Sequence, residues 1–213
     1  MGTKKYRLTG NHIKRGEKIL YQIEALKDFG NVKAGDLGGY IESEKNLSQY
    51  DNAWVYGDAE VYGDAQVFGN ACVFDNARVY NDARVYGNAQ VFDNARVYGN
   101  ACVFDNAWVY GNALVYDNAQ VYGDAKVYGD AEIKSTKDYI VFKNWWSSGR
   151  YFTWTRSNNM WKVGCFYGTG EELIKKAYND SKESGREYER VVRYVESILA
   201  DEKRKENEPI GIK

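Results

Sequence analysis

The chain has 213 residues, 44% of them apolar, and a formal charge of −1. That length allows one or two domains with a real core, and that charge points to no polyanionic partner, so sequence-specific nucleic-acid binding is not expected. The charge is nevertheless segregated: residues 1–50 carry 9 Lys/Arg against 6 Asp/Glu, residues 51–132 carry 4 against 12, and residues 133–213 carry 16 against 12, leaving an acidic middle between mildly basic flanks.

No run approaches the ~18 consecutive apolar residues of a membrane span, and residues 1–5 lack the apolar stretch of a signal peptide. Tyr6 stands where a myristoylation signal wants Ser or Thr, and no prenylation Cys ends the chain. A cytoplasmic protein with no membrane contact is expected. Cys72, Cys102 and Cys165 form none of the close pairs that zinc or redox motifs need, and are read as free thiols.

In chain order, residues 5–9 and 18–23 read as two short strands around a glycine-containing turn. The stretch Asp36-Leu37-Gly38-Gly39-Tyr40-Ile41 follows, and Leu37 lies eighteen residues before Val55. Residues 1–50 are taken as an N-terminal β cap, because the open end of a solenoid exposes strand edges and core and has to be covered.

From residue 55 to 132 run thirteen unbroken six-residue repeats: Val, Tyr or Phe, Gly/Asp/Asn, Asn/Asp, Ala, and a variable residue. A short fixed period means a solenoid in which each unit buries its apolar face against the next coil. Val favours extended backbone, and Gly, Asn and Asp suit a sharp corner.

Hexapeptides of this form resemble the left-handed parallel β-helix family found in many acyltransferases. The resemblance covers about residues 49–134 and implies a triangular coil of three hexapeptides, so that residues eighteen apart stack. Val and Ala then point inward, in a stub of about 4.3 coils roughly 20 Å tall. The Asn/Asp positions from Asp58 to Asp130 form polar ladders along three edges; these are corner residues, and since the middle coils mostly carry Asn, no metal array is expected.

Three outward aromatic columns follow. One wall stacks Tyr56, Phe74, Phe92, Tyr110 and Tyr128; the next Tyr62, Tyr80, Tyr98 and Tyr116; the third Phe68, Tyr86, Phe104 and Tyr122. Such rings brace neighbouring coils, and a continuous apolar face also suits sister chains, as in trimeric members of the family, or a flanking domain. A homo-oligomer, first of all a trimer, is expected. Arg78 and Arg96 should be neighbours on one wall, with Asp75 and Asp93 expected to neutralise them. Cys72 and Cys102 should lie on different walls, without a disulfide.

Residues 135–213 read as an aromatic-rich α+β module. Segments 139–146, 150–156 and 160–167 are expected strands, separated by turns at Ser147-Ser148-Gly149 and Ser157-Asn158-Asn159. A two-residue Asn158-Asn159 turn would pair Arg156 with Trp161, Trp154 with Val163 and Phe152 with Cys165. A first helix starts at the Thr169/Glu172 capping box, buries Leu173, Ile174 and Ala177, and is expected to end at Gly185. A second, about 186–206, carries the stripe Tyr188, Val191, Val192, Val195, Ile198 and Leu199, and its polar end, residues 201–208, should fray. The fold class is therefore mainly β: a left-handed parallel β-helix with an N-terminal β cap (1–50), the solenoid (51–134) and an α+β module (135–213).

Catalytic members of the hexapeptide family use a His general base and loops excursing from the coils. This chain has one histidine, His12, in the cap, and no insertion in its repeats. No Ser/His/Asp set, paired carboxylate or phosphate loop is present, and Gly168-Thr169-Gly170 is better explained as a helix cap than as an anion site. No cofactor or metal is expected, and binding is what remains. Segment 145–156 holds Trp145, Trp146 and Trp154 with Arg150 and Arg156, groups that suit a planar, anionic ligand. The candidate ligand-binding residues are Trp146, Arg150, Tyr151, Arg156 and Trp161, while Phe152 and Trp154 are assigned to a core.

Finally, the combination of ALKDFGNVKAGDLGGYIESEKNLS, tandem VYGNA repeats and an aromatic C-terminal module resembles small proteins encoded by bacterial phages and prophages, often labelled polymer-forming or transferase-like. That resemblance implies an accessory protein in a bacterial host cell that binds a host protein or a nucleotide-like signal, with an anti-defence role. Set against it are a self-assembling structural polymer and an acyltransferase with an unusual base.

Overall fold

The structure, a computed structural model, describes residues 4–207. The chain start, where no leader or lipid signal is expected, and Glu208 at the end of the expected fraying segment lie outside the described residues. β1 (Tyr6–Arg15) and β2 (Lys18–Ala25) form an antiparallel hairpin, β2 pairs with β3 (Leu37–Ile41), and β3 pairs in parallel with Glu60-Val61 of the solenoid. Fourteen two-residue strands follow at six-residue steps, from β4 (Trp54–Val55) to β17 (Glu132–Ile133), and wind into a β-solenoid of about five turns. Each strand from β4 to β14 pairs with the one eighteen residues on, as Val55 with Val73 and Val97 with Val115.

The repeat chemistry accounts for this winding. The valines and alanines of the repeats are almost wholly removed from water, with Val61 to Val127 at 0–1% exposure. The third residue of all thirteen repeats has positive φ: Gly in most, Asp75, Asn81, Asp93, Asp105 and Asp117 in the others. Glycine takes that region freely, and Asp and Asn reach it with help from a local hydrogen bond. At Asp93 the side chain supplies one, since its Oδ2 accepts the Gly111 N–H, one coil on, at 2.9 Å. The next position forms amide ladders along the edges, such as Asn52→Asn70→Asn88→Asn106 with Nδ2 to Oδ1 distances of 3.0–3.1 Å.

The rings point outward in three columns. On the second wall Tyr62, Tyr80, Tyr98 and Tyr116 stack at 5.0–5.1 Å with planes within 4°. On the third wall Phe68, Tyr86, Phe104 and Tyr122 stack at 4.9–5.2 Å with planes within 14°. Rings inside each column are covered above and below by their neighbours, so most stay only partly exposed.

Several expectations need correction. The residue in register with the solenoid is Ile41, which pairs with Val61, twenty residues away; Leu37 is 56% exposed. Leu47 likewise bridges Val67, so the spacing from Leu47 to Val55 is eight rather than six, and this longer corner had hidden the first coil. His12, in the cap, sits within β1. Asp75 and Asp93 do not neutralise the arginines: their carboxylates close corner N–H groups, and the partner of Arg78 is Glu60, at 3.8 Å.

Both ends are closed. Tyr6 and Phe29 pack edge-on against buried Trp54 at 6.0 and 5.3 Å. At the other end each wall terminates on a hydroxyl from the C-terminal module. Ser157 Oγ accepts the Glu132 N–H, Thr153 Oγ1 accepts the Lys126 N–H, and the Tyr139 hydroxyl accepts the Tyr122 N–H while donating to the Gln120 carbonyl.

That module is a four-stranded antiparallel sheet of β18 (Tyr139–Lys143), β19 (Tyr151–Thr155), β20 (Met160–Val163) and β21 (Phe166–Gly168). One face, with Phe152, Trp154 and Trp161, packs on α1 (Gly170–Asp180) and α2 (Lys182–Asn207) in a second core. The other face, with Tyr151, Thr153 and Lys162, turns toward the first wall of the solenoid. The hairpin register differs from expectation: Trp154 pairs with Trp161 and Thr155 with Met160, so the turn has four residues. Asn158 Oδ1 accepts from Thr155 Oγ1 and Asn159 Oδ1 from Trp154 Nε1, which holds the wider turn. The first helix ends at Ser181, whose Oγ accepts the Ser184 N–H at the start of α2. Gly185 lies inside α2, buried where any side chain would collide with the Tyr178 ring.

Candidate functional site

The five expected ligand residues separate. Trp161 is 2% exposed in the second core and cannot meet a ligand. Arg156, pushed out of the strand ladder by the four-residue turn, is a clamp: Nε donates to the Lys137 carbonyl at 3.1 Å and Nη1 to Glu202 at 2.6 Å. Trp146 packs edge-on against Tyr188 at 4.9 Å, with its Nε1–H buried and without a partner among the described residues.

Arg150 and Tyr151 remain exposed at the start of β19. They line a cleft of about 430 Å³ between the C-terminal sheet and the solenoid, whose opposite side is formed by Trp108, Lys126, Asn106 and Asp124. That volume lies in the range of small-molecule sites, about 300–1,000 Å³. Trp108 and Lys126 are variable residues of the repeat, eighteen apart and paired in register, and the Lys126 ammonium lies 4.5 Å above the Trp108 ring. The eighteen-residue rule could have found this pair in the sequence; that it faces Arg150 could not be read there.

The electrostatics of this face are one-sided. Lys126, Lys143, Arg150 and Lys162 make no ion pair among the described residues. Three of them lie over rings instead: Lys126 over Trp108, Lys143 over Tyr151 at 5.8 Å, and Lys162 over Tyr128 at 4.9 Å. Burial holds Lys162 below the ordinary lysine value, with Cys165 opposing and Lys126 reinforcing the shift. Asp124 is the one carboxylate lining the cleft, and it forms no ion pair with Lys126 or Arg150, so these cations can be stabilised by an anion from outside the chain.

The other candidates are accounted for locally. Glu60, almost fully buried, receives Arg15 on both oxygens, which ties the cap to the solenoid. His12 is exposed beside Tyr21. Burial raises the Cys72 thiol. Among the described residues no group of three His, Cys, Asp or Glu is placed to hold a metal.

Four stretches, residues 77–91, 89–103, 95–111 and 107–123, match the family model described as the YdcK beta solenoid repeat. The chain is a β-solenoid repeat protein. The matched region ends one residue before Asp124, so it supplies Trp108 but neither Lys126 nor the module that faces it. No curated protein matches the chain.

Proposed function

We propose that the protein is a non-catalytic binding protein, and that the cleft between the solenoid and the C-terminal sheet holds a planar, anionic ligand of the nucleotide type. The observation that carries this reading is a set of unpaired cations: Lys126 and Arg150 line the cleft, and Lys126, Lys143 and Lys162 lie over the rings of Trp108, Tyr151 and Tyr128. Rings offer a stacking face to a heterocycle, and guanidinium and ammonium groups pair with phosphate. Holding such a ligand without turnover is the role this geometry fits, and it agrees with sequestration of a signal.

Isothermal titration against nucleoside mono-, di- and triphosphates tests it. Saturable binding is expected, weakened about tenfold or more by Lys126→Ala or Arg150→Ala and unchanged by Arg84→Ala on the third wall. Absence of saturable binding up to millimolar nucleotide would refute it. A second reading, self-association through the third wall, is supported by exposed aromatics at its two ends, Tyr50 at 93% and Tyr122 at 44%. Sedimentation that shifts with concentration, and no longer does in Tyr50→Ser/Tyr122→Ser, is its expected result; a monomer at all concentrations removes it. End-to-end polymerisation has less support, because the hydroxyls of Ser157, Thr153 and Tyr139 occupy the last coil's edges.

A further inference from the structure

The cleft does not stop at Tyr151. Beyond it lies a second cavity of about 410 Å³, walled by Tyr122 on the solenoid and by Tyr139, Ile140 and Val141 of β18. Tyr151 and Asp124 line both cavities and form the divide between them. The two differ in chemistry. The first presents Lys126 and Arg150, whereas the residues lining the second include no cation and a single charge, Asp124.

Asp124 is half-buried and only partly satisfied. Its Oδ1 accepts from Asn106 Nδ2 at 3.4 Å, while its Oδ2 has no hydrogen-bond partner among the described residues. Its Oδ2 is open to solvent, and since an ionised carboxylate only accepts hydrogen bonds, a ligand in the adjoining cavity can reach it with an N–H or O–H donor. Asn52, Asn70, Asn88 and Asn106 precede it on the same edge, and the amide gives way to a carboxylate in the last coil as it does at Asp130 on the neighbouring edge; Asp124 is the one of the two that lines the cavities.

Resting on the nucleotide-type reading above, we propose that the ligand spans both cavities. Its phosphate lies against Arg150 and Lys126. Its base lies in the second cavity beside Tyr122 and Tyr151, and Asp124 selects a guanine-type edge. Guanine presents a ring N–H and an amino group side by side, two donors that a carboxylate accepts together. Adenine offers one amino donor beside a ring nitrogen whose lone pair repels the carboxylate. A bidentate contact of this kind separates two bases by roughly tenfold or more.

Calorimetry with GDP, ADP and inorganic pyrophosphate, on the parent protein and on Asp124→Asn, tests the assignment. Asn is the residue this edge carries in the preceding coils, so the variant keeps the ladder. GDP is expected to bind at least about tenfold tighter than ADP, with pyrophosphate weaker than both. In Asp124→Asn the preference should collapse while pyrophosphate binding is retained or strengthened. Tyr122→Ala should weaken GDP and leave pyrophosphate unchanged. Equal affinity for GDP and ADP in the parent, or an undiminished preference in Asp124→Asn, overturns the proposal. Pyrophosphate binding as tightly as either nucleotide removes the base cavity and leaves the anion cleft standing; no binding of any of the three removes both.

Discussion

Asp93 isolates the two forces that make a corner of this solenoid. Its φ is +57°, its Oδ2 accepts the Gly111 N–H at 2.9 Å, and it lies in the central coils, where a defect cannot fray away. Replacing it with Gly removes the hydrogen bond but keeps a residue suited to that φ; the expected loss is about 1–2 kcal/mol, from the bond and the extra freedom of Gly in the unfolded chain. Replacing it with Ala removes the same bond and adds the cost of a left-handed alanine, about 1–2 kcal/mol. Ala should therefore fall about 1 kcal/mol below Gly, the left-handed cost less the roughly 0.5–1 kcal/mol of chain freedom that only Gly loses, although Ala is the better residue in most folded segments. Asn keeps both the acceptor and the tolerance, and should lie within about 1 kcal/mol of the parent. Urea unfolding followed by far-UV circular dichroism measures this as midpoint shifts at constant slope. An Ala variant as stable as the Gly variant would refute the account, because it would mean the corner backbone relaxes out of the positive-φ region at no cost.

Two further stability predictions concern the cap. In Gly39→Ala the new Cβ would lie 2.5 Å from the Ala59 carbonyl oxygen and 2.7 Å from Val55 Cγ1. The expected loss is about 3 kcal/mol, the upper end for overpacking because backbone cannot swing aside; an unchanged unfolding midpoint contradicts the tight seat of β3. Lys5 is buried, with Nζ donating to the Asp51 and Ala53 carbonyls, and burial lowers its pKa from 10.5 to about 8. Between those values the unfolded chain binds the proton and the folded one does not, so stability rises with pH, by about 2 kcal/mol at pH 9.5. Burial raises the Tyr6 and Tyr110 hydroxyls, whose stabilising contribution is lost only above pH 10. It also raises the Cys72 and Cys102 thiols from 9.0, whose contribution falls near the top of the window, so the Lys5 effect is read as the difference between the parent and Lys5→Met. The parent's stability relative to Lys5→Met should rise across about pH 7.5 to 9.5, and a difference that stays constant over that range would contradict it.

The solenoid was legible because its code is local and repeated. Val for strand, Gly or Asp for corner and Ala for the converging walls recur thirteen times, and one geometric rule, residues eighteen apart in contact, places every ring and every Asn ladder. Where the period breaks, the reading breaks too. Leu37 carried the numerical register, yet the eight-residue corner after Leu47 moved the true register to Ile41. In the module, Asn158-Asn159 looked like a two-residue turn, but their side chains bond Thr155 and Trp154, widen the loop and expel Arg156 from the ladder. Arg156 and Trp161 were read as ligand groups from residue type alone, which cannot tell a stacking platform from a core ring or a clamp.

By itself the sequence determined the coil: its period, its dry aliphatic core and its outward rings, all consequences of backbone preference and side-chain volume repeated until neighbours had no alternative packing. Only the tertiary structure decided what the ends do and where a ligand could sit. Trp108 and Lys126 belong to the repeat, Arg150 and Tyr151 to a hairpin at least twenty-four residues further along, and nothing in either segment encodes their meeting. That juxtaposition comes from three hydroxyls docking the module onto the last coil, contacts between groups distant in the chain, and such contacts leave no period to read.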